Sequence, residues 1–220
     1  MAHLLVLGGS GRTGRLVITE ALRRGHTVTA LVRDADRVVP GERLTVLQGS
    51  PLDPEAVDAA SRGAQAVIVA LSNSAPDVSP DQAAAAGLVS SAVQTVTDTM
   101  RSRGIRRIVL LSALGSTDSI RSVPWALRWT TRVPSLRPVF RDLGQADAEL
   151  RRSGLDWTIV RPTLLSTRTR RRPVYATAPG PWPRSLTIGR TDVADYIVNA
   201  VESEALIGEA PVISSGTAAD

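Results

Sequence analysis

Residues 4–14 read Leu-Leu-Val-Leu-Gly-Gly-Ser-Gly-Arg-Thr-Gly, four apolar residues running directly into a glycine-rich turn. The next segment, Arg15 to Arg24, has helical periodicity. A strand over 3–8, a tight turn and a helix ending near Gly25 are therefore expected. Two glycine registers fit the turn: Gly9, Gly11 and Gly14 as G-x-G-x-x-G, or Gly8, Gly11 and Gly14 as G-x-x-G-x-x-G. Both ask for backbone close enough to touch a phosphate and a helix start packed against the strand. The free N–H groups and positive dipole end of that helix then face an anion. Arg12 and Thr13 add a guanidinium and a hydroxyl donor. A glycine turn can also join strand to helix and bind nothing. Its place between a strand and a helix is what points to a dinucleotide.

The second strand, Thr27 to Val32, ends in Arg33-Asp34. An acid at that tip suits the ribose hydroxyls of NAD, whereas an arginine suits the extra phosphate of NADP. Arg33 and Arg37, one helical turn apart, could clamp that phosphate with planar guanidinium groups. The alternative is a solvated pair balanced by Asp34 and Asp36, and Asp34 keeps NAD(H) open beside NADP(H).

Composition removes several chemistries. All 26 basic side chains among the 220 residues are arginine. A Tyr-x-x-x-Lys dehydrogenase needs an ammonium beside its tyrosine, so this chain is not one. With no cysteine there is no disulfide, thiol nucleophile or thiolate metal site. His3 and His26 flank the first strand and the first helix–strand turn, as packing residues would, and no metal-ligand cluster is visible. The opening has no cationic leader, and residues 82–97 carry Gln82, Ser90, Ser91 and Gln94. A cytoplasmic protein with no membrane span is the expectation. The formal charge of +5 favours anionic partners, nucleic acid being an unlikely one without a recognition-helix module.

Apolar runs at Leu44–Leu47, Ala66–Leu71, Ile108–Leu111 and Trp157–Val160 read as buried parallel strands. Asp53-Pro54 starts one intervening helix, and Ser79-Pro80-Asp81-Gln82 fits a capping box for another reaching Arg103. Further helices run over about 141–152 and 192–203. The alternation predicts an α/β fold: one doubly wound parallel-sheet Rossmann domain over 1–220, with ligand at the carboxyl ends of the strands. Two segments break the rhythm, 115–138 and 165–185. They follow the fifth and sixth predicted strands and are the expected substrate loops.

Several phrases occur together in order: Gly8-Gly-Ser-Gly-Arg-Thr-Gly14, Leu31-Val-Arg-Asp34, Val67-Ile-Val-Ala-Leu-Ser72, Ser112-Ala-Leu-Gly115, Ser153 to Pro162, and Asp192-Val-Ala-Asp195. In these the chain resembles the atypical short-chain dehydrogenases/reductases with an NAD(P)-binding, NmrA-like fold, nearest the biliverdin reductase B/flavin reductase group. The resemblance puts Ser10, Arg12 and Thr13 on the phosphates and Arg33 with Arg37 on the 2′-phosphate. Ser50 and Pro51 fall beside the adenine, although many relatives carry aspartate where this chain has Ser50. Ala70, Leu71 and Ser72 fall at the ribose. Ser112, Ala113, Pro162, Thr163 and Leu164 frame the nicotinamide, with Thr163 standing where relatives often have glycine.

Ser112 matches a serine that touches substrate and nicotinamide in the wider superfamily. A hydroxyl there can polarise a carbonyl or orient the carboxamide, and nothing near it in sequence would activate it as a nucleophile. The following helix, Phe140 to Asp147, offers Arg141, Asp142, Gln145 and Asp147, none a ready proton donor. Tyr175 could reach the pocket from its loop, and Tyr196 belongs to a helix core pattern. The expected function is an NADPH-dependent reductase of a planar conjugated or anionic small molecule, a flavin, quinone or polyketide-like aromatic, acting as a monomer or small homo-oligomer. Trp125, Trp129 and Trp182 offer flat surfaces for the acceptor, and Arg168 to Arg172 offer charge. The alternatives are an NmrA-like regulator that binds NADP without turnover and a biosynthetic tailoring enzyme.

Overall fold

The computed structural model describes residues 1–71, 87–123, 136–167, 171–178 and 184–216. The strands are β1 (His3–Leu7), β2 (Thr27–Val32), β3 (Leu44–Gln48), β4 (Ala66–Val69), β5 (Arg107–Leu111), β6 (Asp156–Pro162), β7 (Leu164–Ser166), β8 (Val174–Thr177), β9 (Thr187–Gly189) and β10 (Val212–Ser215). The helices are α1 (Arg12–Arg23), α2 (Pro54–Ala60), α3 (Leu88–Arg103), α4 (Arg137–Arg152) and α5 (Arg190–Glu202).

Eight strands form one sheet in the order β3-β2-β1-β4-β5-β6-β10-β8. Neighbours run parallel except β8, which is antiparallel to β10. Leu4 to Leu7 are fully buried, so β1 reads as a continuous apolar run although successive side chains enter different cores. Leu4 and Val6 pack with Val17, Ile18 and Ile197 from α1 and α5. Leu5 and Leu7 pack with Val93, Met100 and Leu150 from α3 and α4. Each such side chain contributes about 1.5–3 kcal/mol relative to exposure. The strand order reverses between β1 and β4, which opens a crevice at the carboxyl edge of the sheet.

Helix α3 departs from the sequence expectation. The Ser79 capping box lies outside the described residues, and Gly87 is left-handed (φ 62°, ψ 40°), so a helix cannot pass through it. The helix starts afresh at Leu88 and is capped in trans. Asp142 of α4, almost fully buried, accepts from the backbone N–H of Val89 and of Ser90, both at 2.9 Å. Helix α4 begins four residues earlier than the sequence suggested, because Pro138 fits in its first turn.

The second insertion is also corrected. Residues 165–185 are not all loop: β7 and β8 lie largely within them, β9 follows directly, and β8 extends the main sheet. Strands of three or four residues beside an arginine run give no periodic signal.

Candidate functional site

β1 delivers its chain to Gly8, whose φ of +85° is easily adopted only without a side chain. A methyl group there would lie 2.6 Å from the carbonyl oxygen of Ala70, at the end of β4. One added at Gly14 would collide with the backbone carbonyl of Gly8. The turn closes through the Gly11 N–H, which donates to Gly8 O at 3.0 Å, and Gly11 then caps α1. Among the described residues no side chain caps the start of that helix, and its first turn holds no acid. The N-terminal N–H groups of α1 are thus open to an anion, flanked by half-buried Ser10, exposed Arg12 and buried Thr13.

At the tip of β2, Arg33 and Arg37 are both exposed. Asp34 turns back on its own chain, where its Oδ1 accepts from the Asp36 N–H at 3.2 Å and caps the short turn Ala35–Arg37. Neither arginine has an ion-pair partner among the described residues. Ser50 Oγ accepts from the Leu52 N–H at 3.2 Å, beside buried Pro51. Ala70 is buried and Leu71 half-buried at the end of β4. Ser72 lies outside the described residues.

Three and four strand positions along the same edge from β2, about 14 and 19 Å away at 4.8 Å per step, stand the ends of β5 and β6. Ser112 donates its N–H to Val160 O at 2.8 Å, and Leu114 donates to Pro162 O at 3.0 Å, which fixes the two segments together. Ser112 and Thr163 are nearly enclosed, and the Thr163 hydroxyl has no partner among the described residues. Leu164 is 72% exposed, so its side chain is available to cover a ligand.

Behind Ser112 lies a buried polar network. Ser112 Oγ is 3.1 Å from Ser116 Oγ, which reaches Asp147 Oδ2 at 3.3 Å. Asp147 of α4 meets Arg161 Nη2 of β6 at 2.8 Å, with both side chains at 0% exposure. Thr117, at a left-handed φ of 46°, accepts from Arg161 Nη2 at 2.7 Å, and its one proton lies between Asp118 Oδ1 at 3.0 Å and Asp147 Oδ2 at 3.2 Å. A left-handed threonine costs about 1–3 kcal/mol, offset here by these charge-assisted hydrogen bonds. Arg161 Nη1 lies 2.7 Å from Asp118 Oδ1, close enough for charge attraction though not aligned for a hydrogen bond. Burial works against the Asp118 charge, but Arg161 and then Thr117 hold its carboxyl below the usual range.

The sequence contained every member of this network without revealing it. A lone arginine in the apolar run Trp157 to Pro162 was the available signal, because a buried guanidinium must find a carboxylate. Arg190 was also missed. It opens α5, which packs beside α1, and burial together with the charge of Arg12 lowers its pKa. Neither guanidinium has a carboxylate partner among the described residues.

Other expected participants are placed elsewhere. Tyr175 is on β8, not on a loop, three strand steps or about 14 Å from β5, and its ring lies under the Arg184 guanidinium at 5.1 Å. Arg171 is not free charge for a substrate: it binds Glu20 at 2.7 Å and Asp195 at 3.0 Å, strapping its segment to α1 and α5. Arg168, Arg170, Trp125, Trp129 and Trp182 lie outside the described residues. His26 accepts from the Ala2 N–H at 3.2 Å and sits 2.9 Å from Glu202, and His3 meets Thr29 at 2.8 Å, both away from the carboxyl edge. Tyr196 packs against the α1/α5 core, where burial raises its phenol. A cavity of about 520 Å³ opens between α3 and α4, lined by Ser90, Gln94, Phe140, Gly144 and Glu149, and Thr117 joins it to the buried network. No helix among the described residues is long and apolar enough to cross a membrane.

Comparison with known proteins agrees with this geometry. The chain is 30% identical over 180 residues to oxidoreductase stcQ of Emericella nidulans, covering 74% of this chain and 65% of that protein. It therefore spans about two thirds of the length of that relative. A short-chain dehydrogenase/reductase from Veillonella parvula, solved in complex with NADP, superposes with a TM-score of 0.82 at 22% identity, covering 97% of this chain and 94% of the other. ChuY from Escherichia coli O157:H7, described as an anaerobillin reductase, superposes at 0.75 with 22% identity and 99% coverage of both chains. At that identity the two structures establish the shared fold. Residues 8–204 match the NAD(P)H-binding family, and the chain belongs to it.

Proposed function

We propose that this protein is an NAD(P)H-dependent oxidoreductase that prefers NADPH and reduces a planar, conjugated small molecule such as a flavin, a quinone or a polyketide-like aromatic. The observation that carries the reading is the start of α1: an uncapped helix N-terminus with no acid in its first turn, behind a turn where Gly8 and Gly14 leave no room for a Cβ. Such a cradle fits a pyrophosphate, with Ser10, Arg12, Thr13 and Arg190 around it. The two guanidinium groups at the tip of β2, without an ion-pair partner among the described residues, favour the 2′-phosphate, and the Asp34 carboxylate is partly engaged in its own turn. Ser50 and Pro51 border the adenine, Ala70 and Leu71 the ribose, and Ser112, Ala113, Pro162, Thr163 and Leu164 the nicotinamide.

When bound, NADPH supplies the hydride; the protein supplies position and the exclusion of water. α4 reads Arg-Pro-Val-Phe-Arg-Asp-Leu-Gly-Gln-Ala-Asp-Ala-Glu-Leu-Arg-Arg and has neither tyrosine nor lysine. Its two inward acids are occupied, Asp142 in capping α3 and Asp147 in pairing with Arg161. A substrate that stabilises its own added electrons fits a site with no evident acid, and the oxidoreductase name of the Emericella nidulans relative agrees with this class. Mixing the protein with NADPH and a panel of flavins and quinones, and following loss of NADPH absorbance, tests the reading. Turnover with at least one acceptor is expected. Tight NADP binding with no turnover on any of them would instead assign the chain a sensing role.

A further inference from the structure

The direction of the hydroxyl chain behind Ser112 decides what that residue offers a ligand. A hydroxyl has one proton to give. Ser116 Oγ has three neighbours: Ala113 O at 2.9 Å, Asp147 Oδ2 at 3.3 Å and Ser112 Oγ at 3.1 Å. The first two can only accept. Asp147 is fully buried and its Oδ1 has no partner among the described residues; Oδ2 has Arg161 Nη2 at 2.8 Å and the Ser116 hydroxyl at 3.3 Å, while the single proton of Thr117 lies between Oδ2 at 3.2 Å and Asp118 Oδ1 at 3.0 Å. Turning the Ser116 proton toward Ser112 would take a donor from a buried carboxylate and a buried carbonyl, and give it to a group that can itself donate. The opposite arrangement keeps the Ser116 proton on the inward side, between Ala113 O and Asp147 Oδ2, and lets Ser112 donate to Ser116.

We infer that Ser112 presents only lone pairs to the site, as an acceptor for an amide N–H of the nicotinamide carboxamide, and is not a proton donor to the substrate. This rests on the reading that the site takes NADP(H). Ser116, Asp147 and Arg161 then act as positioning residues, because the Arg161–Asp147 pair fixes the polarity of the chain from behind. The proton that completes a reduced product comes from solvent or from the substrate itself. Two buried charges are costly to hold in a core where apolar side chains of similar volume would also pack. Setting that polarity gives the pair a role.

The test is titration calorimetry on the full chain with NADP and with its nicotinic-acid analogue, in which an acceptor-only carboxylate replaces the carboxamide. Adenosine 2′,5′-bisphosphate serves as a control for the fold and the adenosine end. The wild type should bind the amide form more tightly. Ser112→Ala should reduce that preference by about tenfold, one hydrogen bond's worth. Ser116→Ala, which frees the Ser112 proton to turn outward, should reduce it by at least as much, with bisphosphate binding unchanged. If that variant loses bisphosphate binding as well, Ser116→Cys, whose sulfur is a weak acceptor, carries the same expectation. A wild-type preference retained in the Ser116 variants, or a wild type that prefers the acid form, overturns the inference and leaves the cofactor reading standing. If neither dinucleotide binds the wild type, the cofactor reading falls and the inference with it.

Discussion

Replacing Arg161 by methionine isolates the buried charge pair from the rest of the fold. Methionine fills similar space, but Asp147 is left at 0% exposure with only the Ser116 and Thr117 hydroxyls near it among the described residues, each shared with a closer acceptor, and with Oδ1 without a partner among those residues. Removing one partner of a buried pair costs roughly 3–5 kcal/mol. Relief of the unfilled hydrogen-bonding capacity of Arg161 Nε recovers part of that, so about 3 kcal/mol is the expected loss. With a urea m-value of about 2 kcal/mol/M, the unfolding midpoint should fall by about 1.5 M at unchanged slope. Urea titration followed by tryptophan fluorescence measures this, and Trp157, four residues from the mutated position, is a natural reporter. The double variant Arg161→Met/Asp147→Leu should recover most of the loss, because no buried charge then remains without its partner. A single-variant cost below about 1 kcal/mol, or a double variant no better than the single, would refute the argument that this pair is dry and mutually dependent.

Three other outcomes follow from the same geometry. Gly8→Ala forces a side chain into a left-handed position 2.6 Å from the Ala70 carbonyl oxygen, and should cost at least about 2 kcal/mol and abolish measurable NADPH binding by fluorescence titration. Arg33→Ala combined with Arg37→Ala should weaken NADPH by about tenfold or more while changing NADH little, read from the two dissociation constants. Glu20 is held well below the usual carboxyl range, first by Arg23 and then by Arg24 and Arg171, against the opposing effect of burial. Because its folded pKa is depressed, its stabilisation is complete above the unfolded value of about 4.3 and is lost as pH falls below it. Glu20→Gln should thus cost roughly 1–2 kcal/mol at pH 7, the discount reflecting exposed Arg23 and Arg171, and progressively less as pH is lowered from about 4 toward about 2, read from urea midpoints.

Much of this protein is local. The strand-glycine-helix opening, the buried runs of β1, β2 and β5, and the arginines at the end of β2 follow from periodicity and turn chemistry within a dozen residues, so the sequence alone specified a parallel sheet with a glycine turn at its carboxyl edge. The missing lysine likewise excluded the Tyr-Lys mechanism before any fold was drawn. Contacts between distant segments were settled by the tertiary structure. Asp142 reaches 53 residues back to cap α3, β8 and β10 join the sheet without a periodic signal, and Arg171 is neutralised by acids of two helices. Asp147, Arg161 and Ser116 become one network because α4, β6 and the segment after β5 are packed together with water excluded. A charge in a sequence shows that a partner is needed; only the fold determines which partner lies within 3 Å, and thereby which way the proton on Ser112 points.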